Sequence, residues 1–310
     1  MIDPVEELFP KKILDPKVNE ILREFSDNIA DAVNFGSHVL KWEASSIHGR
    51  DEYVPIWMSI RHFLELLDSI SILVRSASIE PCKIIMRGLL ETYFNLEYLL
   101  EKDTKNRCMA FLACYYYKKL KFYNKLDNQQ EQGREFQAKI NKDKTLRDYK
   151  LPNIPALDFA TKDLEKLLLN DAYQPAMQEI NKFKKKFKKD PEWYSLFDGP
   201  KNMQELTNRL SLNIFYEFFY RNYSGTTHAN DIFEGRYSVS NNRKLEIIQI
   251  RTPKNAQDIT RTCMTISFKL YGLLIRKRSP EKLGEYLKWR ETNREFYKKI
   301  STIHNLLATV

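Results

Sequence analysis

Glycine is scarce in this chain, 9 in 310 residues. Tight turns use glycine for backbone at positive φ, so the shortage argues against a turn-rich β protein and for long helices. Cysteine is also sparse, at Cys82, Cys108, Cys114 and Cys263. No two form a CxxC pair and no histidine stands at ligand spacing from them, which argues against a structural zinc site. Each lies in apolar helical context, as small buried hydrophobes do, and a reduced, cytoplasmic compartment fits. No run of 18 apolar residues occurs, so stable membrane insertion is not expected. The opening MIDPVEELFPKKILDP lacks the basic-then-apolar pattern of a secretion signal. Also missing are a Gly-rich phosphate loop, a GxSxG elbow, an HExxH helix and the paired acids of two-metal nucleases. These gaps remove the common nucleotide-hydrolase and protease readings, and no cofactor or metal is expected.

What remains is an ordinary globular balance, 43% hydrophobic and 29% charged, with a formal net charge of +9. That surplus suits a polyanionic partner, nucleic acid or an anionic membrane surface, as well as plain solubility. Apolar spacing predicts helices from near Lys17 to the Ser45–Gly49 segment, then over about 52–77, 81–100 and 104–126. A polar, then proline-containing stretch at 127–160 reads as an insertion or lid. Further helices are expected over 158–170, 175–189, 203–227, 255–276 and 280–304. Glu246–Arg251 is the one strand-like run, either an edge ribbon or extended coil. The expected fold is all-α: a multi-helix bundle of 17–126 and 203–230, an insertion at 127–200 and a C-terminal extension at 231–310, within one domain.

Chemistry concentrates in Tyr220-Arg221-Asn222-Tyr223-Ser224-Gly225-Thr226-Thr227-His228. Seven residues of α-helix turn roughly 700° and rise about 10.5 Å, so Arg221 and His228 return to nearly one face if the helix continues through Gly225. A guanidinium can hold developing phosphate charge, and an imidazole can move a proton near neutral pH. The structural alternative is a salt bridge for Arg221 and a helix C-cap for His228. A second pair, Arg87 and Glu91, stands at i,i+4 in a mostly apolar helix, with a near-copy at Arg61 and Glu65. These four residues either line a polar pocket or stitch helices together. A third feature is the basic run Lys182, Lys184, Lys185, Lys186, Lys188 and Lys189, interleaved with Phe183 and Phe187. It reads as an RNA-binding face, a solvated helix with buried phenylalanines, or a membrane-surface helix. Tyr115–Tyr117 and the aromatic run from Phe215 to Tyr223 read as core or interface.

The Arg–polar–x5–His arrangement resembles the active-site motif of the HEPN ribonucleases, helical-bundle proteins of bacterial toxin, abortive-infection and CRISPR systems. Their motif is Arg, usually a polar residue, and His after four to six intervening residues. Arg221, Asn222 and His228 match it with six. Residues 61–111 and 215–230 also resemble an uncharacterised bacterial helical family. Its members carry an Arg–x3–Glu helix like Arg87–Glu91 and a later Tyr–Arg–x–x–Ser–x–x–x–His segment like Tyr220–His228. The HEPN resemblance implies a metal-independent endoribonuclease acting on RNA, tRNA included, with Arg221, His228 and Asn222 at the site. It also implies a homodimer, a toxin or phage-defence setting, and an antitoxin or regulatory partner. Two rival expectations stand beside it: a non-catalytic nucleic-acid-binding or sensor protein, and a helical scaffold or regulator that binds a protein partner.

Overall fold

The computed structural model describes residues 15–45, 51–227, 236–239, 245–302 and 306–309. Its helices are α1 (Pro16–Ser45), α2 (Val54–Arg75), α3 (Ile79–Glu101), α4 (Thr104–Leu126), α5 (Glu131–Ile140), α6 (Pro155–Leu168), α7 (Gln174–Phe187) and α8 (Met203–Arg209). There follow α9 (Asn213–Phe215), a π-helical stretch (Tyr216–Arg221) and α10 (Asn222–Thr227). Two short antiparallel strands, β1 (Tyr237–Val239) and β2 (Leu245–Ile247), pair Tyr237 with Ile247 and Val239 with Leu245. The chain continues as α11 (Ala256–Arg278), α12 (Leu283–Thr292) and α13 (Arg294–Thr302). The all-α expectation holds, and no helix among the described residues is long and apolar enough to cross a membrane.

The chain forms two compact units, one of residues 1–102 and 207–310, the other of 103–206. In the first, α1 buries Leu22, Phe25, Ile29, Ala32, Gly36 and Val39, and α2 buries Ile56, Ile60, Phe63, Leu67, Ile70 and Val74. Alternating steps of three and four place each set on one stripe, and the two stripes pack as an αα-hairpin. α3 and α11 complete the core. Gly36 matters at the α1 seam: a Cβ there would run into Leu64 and the ring of Tyr271. Tyr271 is fully buried, and its hydroxyl donates to the Ala32 carbonyl at 2.8 Å. Glu43 and Arg278 form a bidentate pair with side chains 2% and 7% exposed, and the guanidinium lies 4.4 Å from the centre of the Tyr53 ring.

In the second unit α4 packs against α5, α6, α7 and the turn at Trp193–Ser195. Leu157, Leu164, Leu168, Ala176, Ile180 and Trp193 are buried there, with Cys108, Leu112, Ala113 and Cys114 of α4. Lys121–Asp190 (2.6 Å) and Lys118–Glu192 (3.0 Å) close its rim.

This division departs from the expected one. α4 belongs with the inserted region and not with the bundle, because its apolar stripe finds its partners in α5–α7. α11, assigned to a C-terminal extension, lies in the core, with Ile259, Met264, Ile266, Leu270 and Ile275 buried. The single helix expected over 203–227 is broken after α8, where Ser211 takes a left-handed backbone (φ 57°). The expected last helix is likewise split. Asn293, buried between α12 and α13, donates its side-chain amide to Asp31 and to the Trp289 carbonyl.

Candidate functional site

The helical stretch from Asn213 to Thr227 carries the Arg221 motif and is built on aromatics. Phe215 meets Tyr93 of α3 (ring centroids 6.3 Å) and lies under Lys269 of α11 (5.6 Å). Tyr216 stacks on Tyr220 (5.3 Å), and Tyr220 meets Phe94 (6.3 Å). Between them the backbone widens into a π turn from Tyr216 to Arg221. Such distortions inside α-helices are rare and concentrate at functional sites.

Tyr220 is the fixed point of this stretch. Its hydroxyl donates to Glu91 Oε1 at 2.5 Å and accepts from Arg87 Nη2 at 2.9 Å. The Arg87 guanidinium also lies 4.8 Å from the centre of the Tyr220 ring, and its Nε is 3.5 Å from Glu91. Burial first, then the bond to Glu91, push the Tyr220 hydroxyl pKa up to about 12, so it stays a donor across the physiological range. Arg87 and Glu91 therefore stitch α3 to the π turn through a third residue. The sequence sets Tyr220 at the head of the Tyr220–His228 segment but does not link it to Arg87 and Glu91. Its signal was its position next to Arg221, where a hydroxyl can reach a charged pair.

Arg221 follows directly and turns outward. Its side chain is 62% exposed and pairs with Glu217 at 2.8 Å, one turn back. Asn222 is exposed and donates its side-chain amide to the Phe218 carbonyl at 2.7 Å. The backbone remains helical through Gly225 to Thr227. His228 lies outside the described residues, as do His48 and His304. Arg61 and Glu65 are on the surface of α2, paired with each other at 2.8 Å and more than half exposed. Among the described residues no three His, Cys, Asp or Glu side chains gather as metal ligands.

A separate cleft of about 200 Å³ is lined by Glu97, Glu101, Arg209, Leu210, Ser211, Leu273 and Lys277. Burial raises the Glu97 carboxyl above its ordinary pKa; the Tyr93 hydroxyl, Lys269 and Lys277 act in the opposite direction.

In the other unit, the lysine run ends α7. Lys182 pairs with Glu179 at 3.2 Å, and half-buried Lys184 donates to the Tyr117 hydroxyl. Lys185, Lys186, Lys188 and Lys189 are exposed. The helix stops at Phe187, earlier than expected, because Lys188 adopts a left-handed backbone (φ 55°). Phe183 and Phe187 touch each other (4.5 Å), and Phe187 is 42% exposed instead of buried.

Fold and site together define a class: an all-α protein with a π-distorted helix that presents an arginine beside an anchored tyrosine. Residues 57–244 match DUF5677, a family of unknown function, and the chain belongs to that family. The match includes Arg87, Glu91 and the whole Tyr220–His228 segment, and it runs through the inserted region. No curated protein and no solved structure matches the chain.

Proposed function

We propose that this protein is a metal-independent endoribonuclease in which Arg221 and His228 act on an RNA phosphodiester. The observation that carries the reading is the setting of Arg221. It is an exposed cation next to the anchored Tyr220, on backbone that stays helical to Thr227. Helical backbone across Gly225 is the condition under which residues seven apart share a face. The resemblance of Arg221, Asn222 and His228 to the HEPN motif supplies the reaction class.

Glu217 does not block the site. An exposed ion pair within one helix contributes about 0.3–0.5 kcal/mol. Phosphate offers Arg221 a bidentate, charge-assisted partner, so exchange is favourable. In the reaction the RNA 2′-oxygen attacks the adjacent phosphorus and the bond to the 5′-oxygen breaks. His228 takes the 2′-hydroxyl proton or supplies one to the leaving oxygen, and Arg221 stabilises the phosphorane charge. Asn222 positions the phosphate. The products are a 2′,3′-cyclic phosphate and a 5′-hydroxyl. A homodimer brings two such motifs to one cleft. The setting is a cytoplasmic toxin or phage-defence effector held by an antitoxin or other regulator. End-group analysis of RNA cleaved in the presence of EDTA tests this chemistry. Cyclic-phosphate and 5′-hydroxyl ends are expected, and 5′-phosphate ends or dependence on added metal contradict it.

A further inference from the structure

The inserted unit carries a surface that the Arg221 site does not use. Of the 50 Lys and Arg and 41 Asp and Glu in the chain, 21 and 15 fall in residues 103–206, so +6 of the net +9 resides there. On α4, Tyr115, Lys118, Lys119, Phe122 and Lys125 follow one another at steps of three, one, three and three. That spacing keeps all five on one helix face. The buried side of α4 is Cys108, Ala110, Leu112, Ala113 and Cys114. These residues lie in the first half of the helix, and its second half exposes two large rings, Tyr115 at 52% and Phe122 at 56%. Single exposed apolar residues are ordinary; two rings on one arc, set among three lysines, are a patterned surface. Lys119 stands within cation–π reach of Tyr115 (5.9 Å) and Tyr123 (5.6 Å). α7 meets the same helix at Tyr117, whose hydroxyl accepts from Lys184.

We infer that this face of α4 is a docking platform for single-stranded RNA, with Tyr115 and Phe122 stacking on unpaired bases and the lysines holding the intervening phosphates. Stacking rings need bases that are splayed out, and cations need a polyanion. A duplex satisfies only the second condition. The two rings are seven residues apart, about 10.5 Å along the helix, so they meet separate bases. The platform shares its RNA with the ribonuclease proposed above, but it is read by binding alone.

The test is fluorescence anisotropy of the full chain with a labelled, mixed-sequence 12-nucleotide RNA in 2′-O-methyl form, which cannot cleave itself. The same strand in a duplex serves as the comparison. Tyr115→Ala/Phe122→Ala should weaken single-strand binding at least about tenfold and leave duplex binding within about twofold. Tyr115→Trp/Phe122→Trp should restore it. Lys118→Gln/Lys119→Gln/Lys125→Gln should weaken both substrates and flatten the salt dependence. Unchanged single-strand binding in the alanine variant overturns the platform, even if cleavage at Arg221 and His228 proves real. Equal loss for strand and duplex overturns it too. So does a shift from dimer to monomer in sedimentation without loss of RNA affinity, since the rings then join two copies of the chain.

Discussion

Replacing Tyr220 by phenylalanine removes one oxygen atom and tests how the Arg221 segment is held. That oxygen makes two hydrogen bonds to charged groups, donating to Glu91 at 2.5 Å and accepting from Arg87 at 2.9 Å. A hydrogen bond to a charged partner contributes about 1.5–3 kcal/mol. The two contributions do not simply add. Arg87 and Glu91 are 22% and 39% exposed and already lie 3.5 Å apart, so each recovers part of the loss from the other and from water. The ring contacts with Tyr216 and Phe94 survive the substitution. The expected net loss is about 1.5–2 kcal/mol. Because the chain forms two units, one global melting curve would blur the effect. Native-state amide exchange over 213–227 resolves it, and protection there should fall roughly 10–30-fold. In a double-mutant cycle, Glu91→Gln should show a coupling of about 1–2 kcal/mol with Tyr220→Phe. Protection that changes by less than about twofold, with no coupling to Glu91, would refute the claim that this triad fixes the π turn.

Other consequences follow from the same geometry. Glu43→Ala strands a nearly buried guanidinium and should cost about 3–5 kcal/mol in a denaturant titration, whereas Glu43→Ala/Arg278→Met should cost less. Gly36→Ala gains at most about 1 kcal/mol of helix propensity and loses about 1–3 from overpacking against Leu64 and Tyr271, so the denaturation midpoint should fall. The Glu97 carboxyl titrates above its ordinary 4.5 when folded. Between that value and the raised one, the folded chain holds a proton that the unfolded chain has released, so this group's contribution to stability declines as pH rises through the window. Midpoints of Glu97→Gln and wild type measured from pH 4 to 7 should move in the variant's favour with rising pH, and parallel curves would contradict the shift.

The helices were legible because their cores follow periodic spacing. α1 through α4, α6, α7 and α11 lie within a few residues of the boundaries that apolar residues alone suggest. What was not legible depends on partners distant in sequence. The place of α4 in the inserted unit is set by the helices it meets, α5–α7, which lie later in the chain. The left-handed Ser211 and the π turn at Tyr216–Arg221 arise where aromatics must reach α3 and α11 at once, and helical periodicity carries no trace of either. At the site, Arg87 and Glu91 were visible as a pair, but the residue that completes them is 129 positions away from Glu91. Tyr115 was read with Tyr116 and Tyr117 as core or interface because tyrosines are usually buried; Tyr116 and Tyr117 are half-buried, and Tyr115 is exposed.

The central claim is the assignment of chemistry to Arg221 and His228. Its most direct test incubates the purified protein with total tRNA in EDTA, beside Arg221→Ala and His228→Ala variants whose helical content matches the wild type. The assignment predicts cleavage by the wild-type protein and its loss in both variants. Cleavage that persists undiminished in both, or a folded wild-type protein that leaves every RNA intact, would contradict it.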